Sequence, residues 1–225
     1  YKYAGEVWPL PQTGQMWLEH ELLSKPDSKG FFCVSTSYRQ EPNAIPGRHD
    51  IIFPMFEFEF PGTIEDLKAM EYELVEYLGF KKPTEKTYAE WQTEYNTDGE
   101  LTAKHEAKMF NDYSTTMITD FPEFTSPFWN MSRYEQGDTS KKIDVILGGM
   151  ETIGSAERST DVEQMRDTFH TITDGAYANL LFDLFGKERV EAELEEFLKF
   201  DFFPRVGGGI GMTRMIAALD KNAKN

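Results

Sequence analysis

Two stretches of the chain carry apolar and aromatic residues in the alternating pattern of strands. Phe31 to Tyr38 (FFCVSTSY) and Ile51 to Phe60 (IIFPMFEFEF) are separated by a polar loop containing Pro42, Pro46 and Gly47, which predicts an antiparallel pair with a long connection. Because successive side chains point to opposite faces of a strand, Met55, Glu57 and Glu59 share one face and Phe56, Phe58 and Phe60 the other. The rings are expected in the core. The carboxylates are either solvated or line a site, and spacing alone leaves both open.

The period then changes to that of a helix. Thr63 is a cap with Asp66 three residues on; Ile64, Leu67, Met70, Leu74, Val75 and Leu78 form the apolar stripe, and Gly79 ends it. Residues 81–100 are polar and read as a surface excursion, followed by a helix around Leu101 to Asn111. Short strands are expected at Thr116–Asp120 and Ile143–Leu147, the latter ending in Gly148-Gly149. Two helices follow, about Asp161 to Leu184 and Glu188 to Leu198. There is no βαβ regularity, repeat or low-complexity linker, so residues 1–225 read as one α+β domain.

Composition narrows the classes. A chain of 225 residues, 40% hydrophobic and 14% aromatic, is long enough to bury a full core. It has no run of eighteen apolar residues, so no membrane partner is expected. Its one cysteine, Cys33, excludes an internal disulfide framework, suits a reducing compartment and reads as strand packing; a cytoplasmic location is the expectation. A net charge of −16 disfavours extended nucleic-acid contact outside a local basic patch. His20, His105 and His170 receive no role, and Trp17 and Trp129 are expected in the core.

The chemistry concentrates near the end, in FPRVGGGIGMTR over residues 203–214. The glycines have the G-x-G-x-x spacing of a dinucleotide turn, but Arg214 stands where the third glycine would let the helix lie close on the strand, which argues against NAD. No Lys-Ser or Lys-Thr follows, so a Walker loop is excluded as well. A bare backbone with a guanidinium one helical turn on suits ATP; the plainer alternative is a glycine-rich strand-to-helix turn with a solvent-facing arginine. Elsewhere, Arg39, Glu41, Arg48 and His49 flank the loop between the two strands, and Phe53 opens the second, as phosphate and adenine contacts would require. Asp144 and Glu151, seven apart around the GGM bend, have the oxygen donors that Mg²⁺ takes.

Together these segments resemble the catalytic domain of class II aminoacyl-tRNA synthetases, in the branch of aspartyl and asparaginyl enzymes and their ammonia-dependent asparagine synthetase relatives. Tyr38-Arg39-Gln40-Glu41 with RHDIIFPMFEFE (48–59) is similar to the second class motif in its asparaginyl form, GGGIGMTR to the third, and DVILGGMETIGSAER to the segment bearing the metal carboxylates and a side-chain-reading arginine. The resemblance covers nearly the whole chain. It implies an antiparallel sheet flanked by helices and an AMP-forming ligase using ATP and Mg²⁺. Arg39 and Arg214 would be catalytic, and Glu41, His49, Phe53, Gly209 and Gly211 would join them in holding ATP. Gln15, Glu57, Gly208 and Arg158 would bind aspartate or asparagine, Glu57 taking the ammonium and Arg158 the β-carboxylate or β-amide. Asp144 and Glu151 would bind the metal.

The resemblance further implies a carboxylate attacking the α-phosphorus of bent ATP to give an acyl-adenylate and pyrophosphate. The nucleophile is already ionised at pH 7, so no general base is required. The chain departs from the aspartyl pattern at Leu18, where those enzymes have a lysine, with Glu19 following as in asparaginyl enzymes, and at Ala156 beside Ser155. The dimer-forming motif of the family would lie upstream of Tyr1, and a homodimer is expected. Three readings follow: amidation of aspartate by ammonia, which the acidic composition favours; the catalytic core of an asparaginyl- or aspartyl-tRNA synthetase, which the second motif favours; and a non-catalytic paralogue.

Overall fold

The structure is a computed structural model describing residues 2–3, 5–7, 10–39, 44–135 and 138–224. Glu41 lies outside the described residues. A two-residue pair, β1 (Lys2–Tyr3) and β2 (Glu6–Val7), precedes α1 (Gln15–Ser24). There follow β3 (Phe31–Tyr38), β4 (Ile52–Pro61), α2 (Ile64–Tyr77), β5 (Thr84–Thr87), α3 (Tyr88–Tyr95), α4 (Ala103–Tyr113) and β6 (Thr115–Pro122). The last third contains β7 (Thr139–Leu147), β8 (Met150–Glu157), α5 (Val162–Thr171), α6 (Ala176–Phe185), α7 (Lys187–Phe197), β9 (Arg205–Gly211) and α8 (Met212–Asn222). The main sheet has the order β3-β4-β9-β8-β7-β6-β5 and is antiparallel except for β5 with β6.

The alternation read in β4 decides how the sheet is used. Phe58 is buried in the main core, with Phe56 and Phe60 packed against it, beneath α2 and α8. On the opposite face Glu57 and Glu59 are both fully buried, which removes the solvated alternative. The register places Glu57 beside Gly209 and Glu59 beside Gly207, and β8 sets Gly154 beside Gly209 on the far side. One face of the sheet is therefore apolar and roofed by helices, and the other carries carboxylates over a floor of glycines.

Several sequence expectations need correction. Residues 81–100 are not a surface excursion: they hold β5 and α3, and Trp91 is fully buried with its indole N–H donating to the Met117 carbonyl at 3.2 Å. The overlooked signal was Tyr88, Trp91 and Tyr95 on one helical stripe, opened by a Thr87–Glu90 capping box. The helix expected over 161–184 breaks at Thr173, Asp174 and Gly175, whose φ values of 52°, 53° and 79° are left-handed and cannot continue a right-handed helix. Trp17 is exposed rather than in the core, whereas Trp129 is buried among α5, α6 and α7. Cys33 is half-buried on the edge strand β3. The glycine run is no turn: β9 is hydrogen-bonded to β4 on one side and β8 on the other, and α8 begins only at Met212. Among the described residues no helix is long and apolar enough to cross a membrane.

One buried acid sits under the sheet. Glu71 of α2 is fully buried, accepts a hydrogen bond from Ser155 Oγ at 2.6 Å, and its second oxygen has no partner among the described residues. Burial pushes its carboxyl from 4.5 up to about 8, against the Ser155 hydrogen bond. The folded chain then keeps a proton that the unfolded chain releases, so this group's contribution to stability is full below about 4.5 and is lost as pH rises toward about 8. Glu71→Gln should gain stability relative to the unmodified chain as pH goes from about 5 to about 8, measured by denaturant unfolding. Parallel pH profiles for the two proteins would show that Glu71 is ionised in the fold.

Candidate active site

The carboxylate face of the sheet opens into a cavity of about 480 Å³. Its floor is Gly154, Gly209 and Gly211; Gln15 and Arg158 stand at one end, Arg39, His49 and Phe53 line it from the β4 side, and Glu151, Thr213 and Arg214 close it opposite. Two of the floor glycines, Gly154 and Gly209, leave room for side chains that approach closely rather than serving a special backbone angle, whereas Gly211 has only ordinary contacts beside it. A Cβ on Gly209 would lie 2.6 Å from Met55 Cε, and one on Gly154 would lie 2.8 Å from Glu151 Oε1. Gly208 turns the other way, toward Ser155 Cβ at 2.5 Å, so its missing side chain serves the packing of β8 and not the cavity wall.

Arg158 is fixed by Glu59. Its Nε donates to Glu59 Oε1 at 2.9 Å and its Nη2 to Oε2 at 3.0 Å, both groups being almost fully buried. This fills the side of the guanidinium fork. The end of the fork carries only Gln15, whose Oε1 accepts from Nη2 at 3.2 Å, and no described residue accepts from Nη1. Glu59 in turn needs Gly207, where a Cβ would lie 1.6 Å from its Oε2. A second buried pair braces the first: Arg205 Nε donates to Glu19 Oε1 at 3.0 Å, Asn130 holds the other Glu19 oxygen at 2.7 Å, and the Arg205 carbonyl accepts from the Arg158 backbone N–H at 2.8 Å. Glu19, read from sequence as an asparaginyl-like departure, thus acts on Arg205.

Glu57 was expected to take a substrate ammonium, but its carboxylate already holds three donors. Thr13 Oγ1 donates to Oε1, and the Gly14 N–H and Ser35 Oγ donate to Oε2 at 2.8 Å each. The carboxylate therefore anchors the first turn of α1, where an anion is favoured, and through it positions Gln15. Glu57 is fully buried and does not line the cavity.

The cations meant for phosphate are arranged around the opening. The Arg39 guanidinium lies 5.9 Å from the Phe53 ring centroid, and its buried Nε has no partner among the described residues. Such a buried unpaired donor is costly unless a ligand accepts from it. Arg214, at the start of α8, donates to the Glu151 carbonyl at 2.7 Å and the Arg48 carbonyl at 3.4 Å. His49 Nδ1 accepts from the Ile45 N–H at 3.2 Å, which steadies the loop before β4. Sequence reasoning missed Glu106 of α4, which pairs with Arg48 at 2.6 Å and accepts from the Glu151 N–H at 2.9 Å, tying the two sides of the opening together. One acid among many on a polar helix gave no signal.

Asp144 and Glu151 do converge. The Cβ position of Gly154 is 2.8 Å from Glu151 Oε1 and 3.5 Å from Asp144 Oδ1. Burial, opposed by Lys142 and reinforced by Glu151 and Glu106, pushes Asp144 up to about 7. Among the described residues no cluster of three or more acids, histidines or cysteines forms a closed metal cage. Two converging carboxylates nevertheless match the open coordination of Mg²⁺, which keeps waters and takes phosphate oxygens. Beyond Lys142 and Asp144 lies a second cavity of about 390 Å³, which shares Met131, Lys142 and Glu151 with the first and is also lined by Glu100 and Glu106.

The model of the class II tRNA synthetase family (D, K and N) matches residues 2–224. Among solved structures, the chain is similar to the asparaginyl-tRNA synthetase of Pyrococcus horikoshii complexed with asparaginyl-adenylate, with a TM-score of 0.78 and 18% identity over 97% of this chain and 55% of that one. It is also similar to the asparaginyl-tRNA synthetase of Entamoeba histolytica in complex with asparaginyl-adenylate (TM-score 0.76, 21% identity, 97% of this chain, 55% of that one). The aspartyl-tRNA synthetase of Entamoeba histolytica gives a TM-score of 0.74 at 18% identity, over 97% of this chain and 50% of that one. The chain spans about half the length of these proteins, and the likeness establishes the fold. No curated protein matches the sequence.

Gly207→Ala tests the frame of the site. The added carbon meets the Glu59 carboxylate and the Phe58 carbonyl at 2.8 Å, so Glu59 must leave Arg158. Separating a buried ion pair costs about 3–5 kcal/mol, and the variant should lose stability on that scale in denaturant titration. Gly211→Ala is the control: its Cβ meets only the flexible Arg214 side chain, at 3.7 Å or more, and stability should hold. Equal stability of both variants would refute the requirement for Gly207.

Proposed function

The chain belongs to the class II tRNA synthetase family (D, K and N), and we infer that it activates aspartate with ATP as an acyl-adenylate and passes the acyl group to ammonia. The observation that carries the substrate is Arg158. With its side edge filled by Glu59, the fork has its end directed at the cavity, where two parallel N–H groups suit a carboxylate and Gln15 is the one group to be displaced. Aspartate supplies two carboxylates. In amidation the β-carboxylate goes to ATP and the α-carboxylate rests on Arg158; in aminoacylation the two exchange places.

In the first step an oxygen of the activated carboxylate bonds to the α-phosphorus and the bond to pyrophosphate breaks. Arg39 would neutralise the α-phosphate while Phe53 stacks on adenine, and Arg214 would cover the nucleotide from α8. Mg²⁺, held by Asp144 and Glu151, would supply positive charge to the phosphates. The glycine floor lets the adenylate lie against the backbone of β9. In the second step ammonia nitrogen bonds to the acyl carbon, AMP leaves with the bonding pair, and a proton is released.

Support for ammonia comes from the second cavity. Its carboxylates, Glu100, Glu106, Asp144 and Glu151, draw in ammonium and repel the phosphates of a tRNA end, in keeping with the net charge of −16. The competing reading, transfer to tRNA, is favoured by the asparaginyl form of the RHDIIFPMFEFE segment.

Hydroxylamine trapping separates the two. With ATP, Mg²⁺ and aspartate, the adenylate should yield β-aspartyl hydroxamate, and ammonium in its place should yield asparagine, AMP and pyrophosphate in equal amounts. The α-hydroxamate, or charging of tRNA without free asparagine, would overturn the amidation reading. Arg214→Ala should lower pyrophosphate release by about 10²–10³ while leaving the fold intact, as for loss of a preorganised charge at a developing anion. Unchanged turnover would remove Arg214 from the site.

A further inference from the structure

The carboxylate read as a metal ligand already has a cation on it. Lys142 and Asp144 are two apart on β7 and so share a face, and Lys142 Nζ lies 2.7 Å from Oδ1 and 2.6 Å from Oδ2 of Asp144. The ammonium also sits 3.7 Å above the centroid of Phe121, whose ring packs on Tyr88 at 5.1 Å. Phe121 is buried and gives the ammonium a fixed seat. Lys142 borders both cavities, as Glu151 does, and Asp144 lines the second.

A divalent cation and this ammonium compete for the Asp144 oxygens, both of which Lys142 already contacts, and their like charges repel at that distance. We propose that Lys142 is a built-in counter-cation that closes the Asp144–Glu151 site in the free protein and gives up Asp144 when nucleotide phosphates arrive. The inference rests on the reading of that pair as the metal site. Its physical basis is competition. Without nucleotide, Asp144 and Glu151 present two negative charges and Lys142 offsets one of them, leaving little to attract a strongly hydrated dication. A triphosphate in the main cavity brings several negative charges within reach of the lysine's flexible stem. The ammonium then follows the phosphates, Asp144 is exposed together with new oxygen ligands, and the metal enters with the nucleotide. Lys142 remains in the site as a second positive charge beside the leaving pyrophosphate.

Mn²⁺ alone is the first probe, followed by its electron paramagnetic resonance signal in titrations of the free protein. Lys142→Met keeps the length and removes the charge, so Mn²⁺ should bind at least roughly tenfold more tightly than to the unmodified chain, whereas Lys142→Arg should bind it weakly. Asp144→Asn in the Lys142→Met background should abolish the gain. The second probe is ATP in the presence of EDTA, titrated calorimetrically. A lysine that merely neutralised Asp144 would leave metal-free ATP binding unchanged, whereas the proposed transfer predicts roughly tenfold weaker binding in Lys142→Met. Equal Mn²⁺ affinities for the Met variant and the unmodified chain, or equal metal-free ATP affinities, would overturn the proposal. Absence of any ATP binding by the unmodified chain would instead sink the nucleotide reading, and the Mn²⁺ series would still decide whether Lys142 closes the site. Lys142→Gln replaces the Met variant if thermal melting shows that variant unfolded.

Discussion

The structure is organised around one buried ion pair, Glu59 with Arg158. A carboxylate and a guanidinium taken out of water each carry a desolvation cost of several kcal/mol, which only a well-formed two-bond geometry offsets. The two bonds, at 2.9 and 3.0 Å, meet that condition. The geometry dictates its surroundings. Gly207 has no side chain because Glu59 occupies that space; Glu19 and Arg205 form a second buried pair that holds the backbone of Arg158; and Gln15 is brought to the free end of the guanidinium by α1, which Glu57 anchors.

From this frame the buried charges under and around the cavity are separated into satisfied and unsatisfied. Glu57 and Glu19 have their donors, and Arg205 has its acceptors. The buried Nε of Arg39 and the Nη1 of Arg158 lack protein acceptors among the described residues, and Gln15 is the one acceptor at the end of the Arg158 fork. Those are the two places where an anionic ligand gains most, since a buried donor left unmade is expensive and one that is met returns that cost. One is suited to a phosphate beside an aromatic ring, the other to a carboxylate. Their placement across a glycine floor is what the inferred adenylate requires.

The main strands and α2 were legible in the sequence because their patterns are local. FFCVSTSY and IIFPMFEFEF alternate, and Thr63 to Gly79 carries both helix signals. The site residues Arg39, His49, Phe53, Gln15, Arg158, Gly209, Gly211 and Arg214 do gather at one cavity. What escaped depended on distant partners. That β9 is a central strand follows from Gly207 clearing Glu59, Gly208 clearing Ser155 and Gly209 clearing Met55, none of which is visible from a glycine run alone. Glu57 and Glu59 are alike in sequence, yet one anchors a helix and the other an arginine, because α1 packs on β4 at Glu57 while Arg158, just past the end of β8, reaches across β9 to Glu59. Trp91 was lost in a polar segment whose stripe is only three aromatics long.

On the proposed reading, the Glu59–Arg158 pair presents a carboxylate-binding fork to an ATP-dependent site. The most direct measurement is aspartate-dependent exchange of labelled pyrophosphate into ATP, followed as a function of aspartate concentration for the unmodified chain and for Glu59→Gln. Exchange is expected for the unmodified chain and, for Glu59→Gln, a rise in the aspartate KM of about tenfold or more with the ATP KM little changed, because a fork that is no longer held loses its orientation. Exchange by Glu59→Gln with the aspartate KM of the unmodified chain would contradict it.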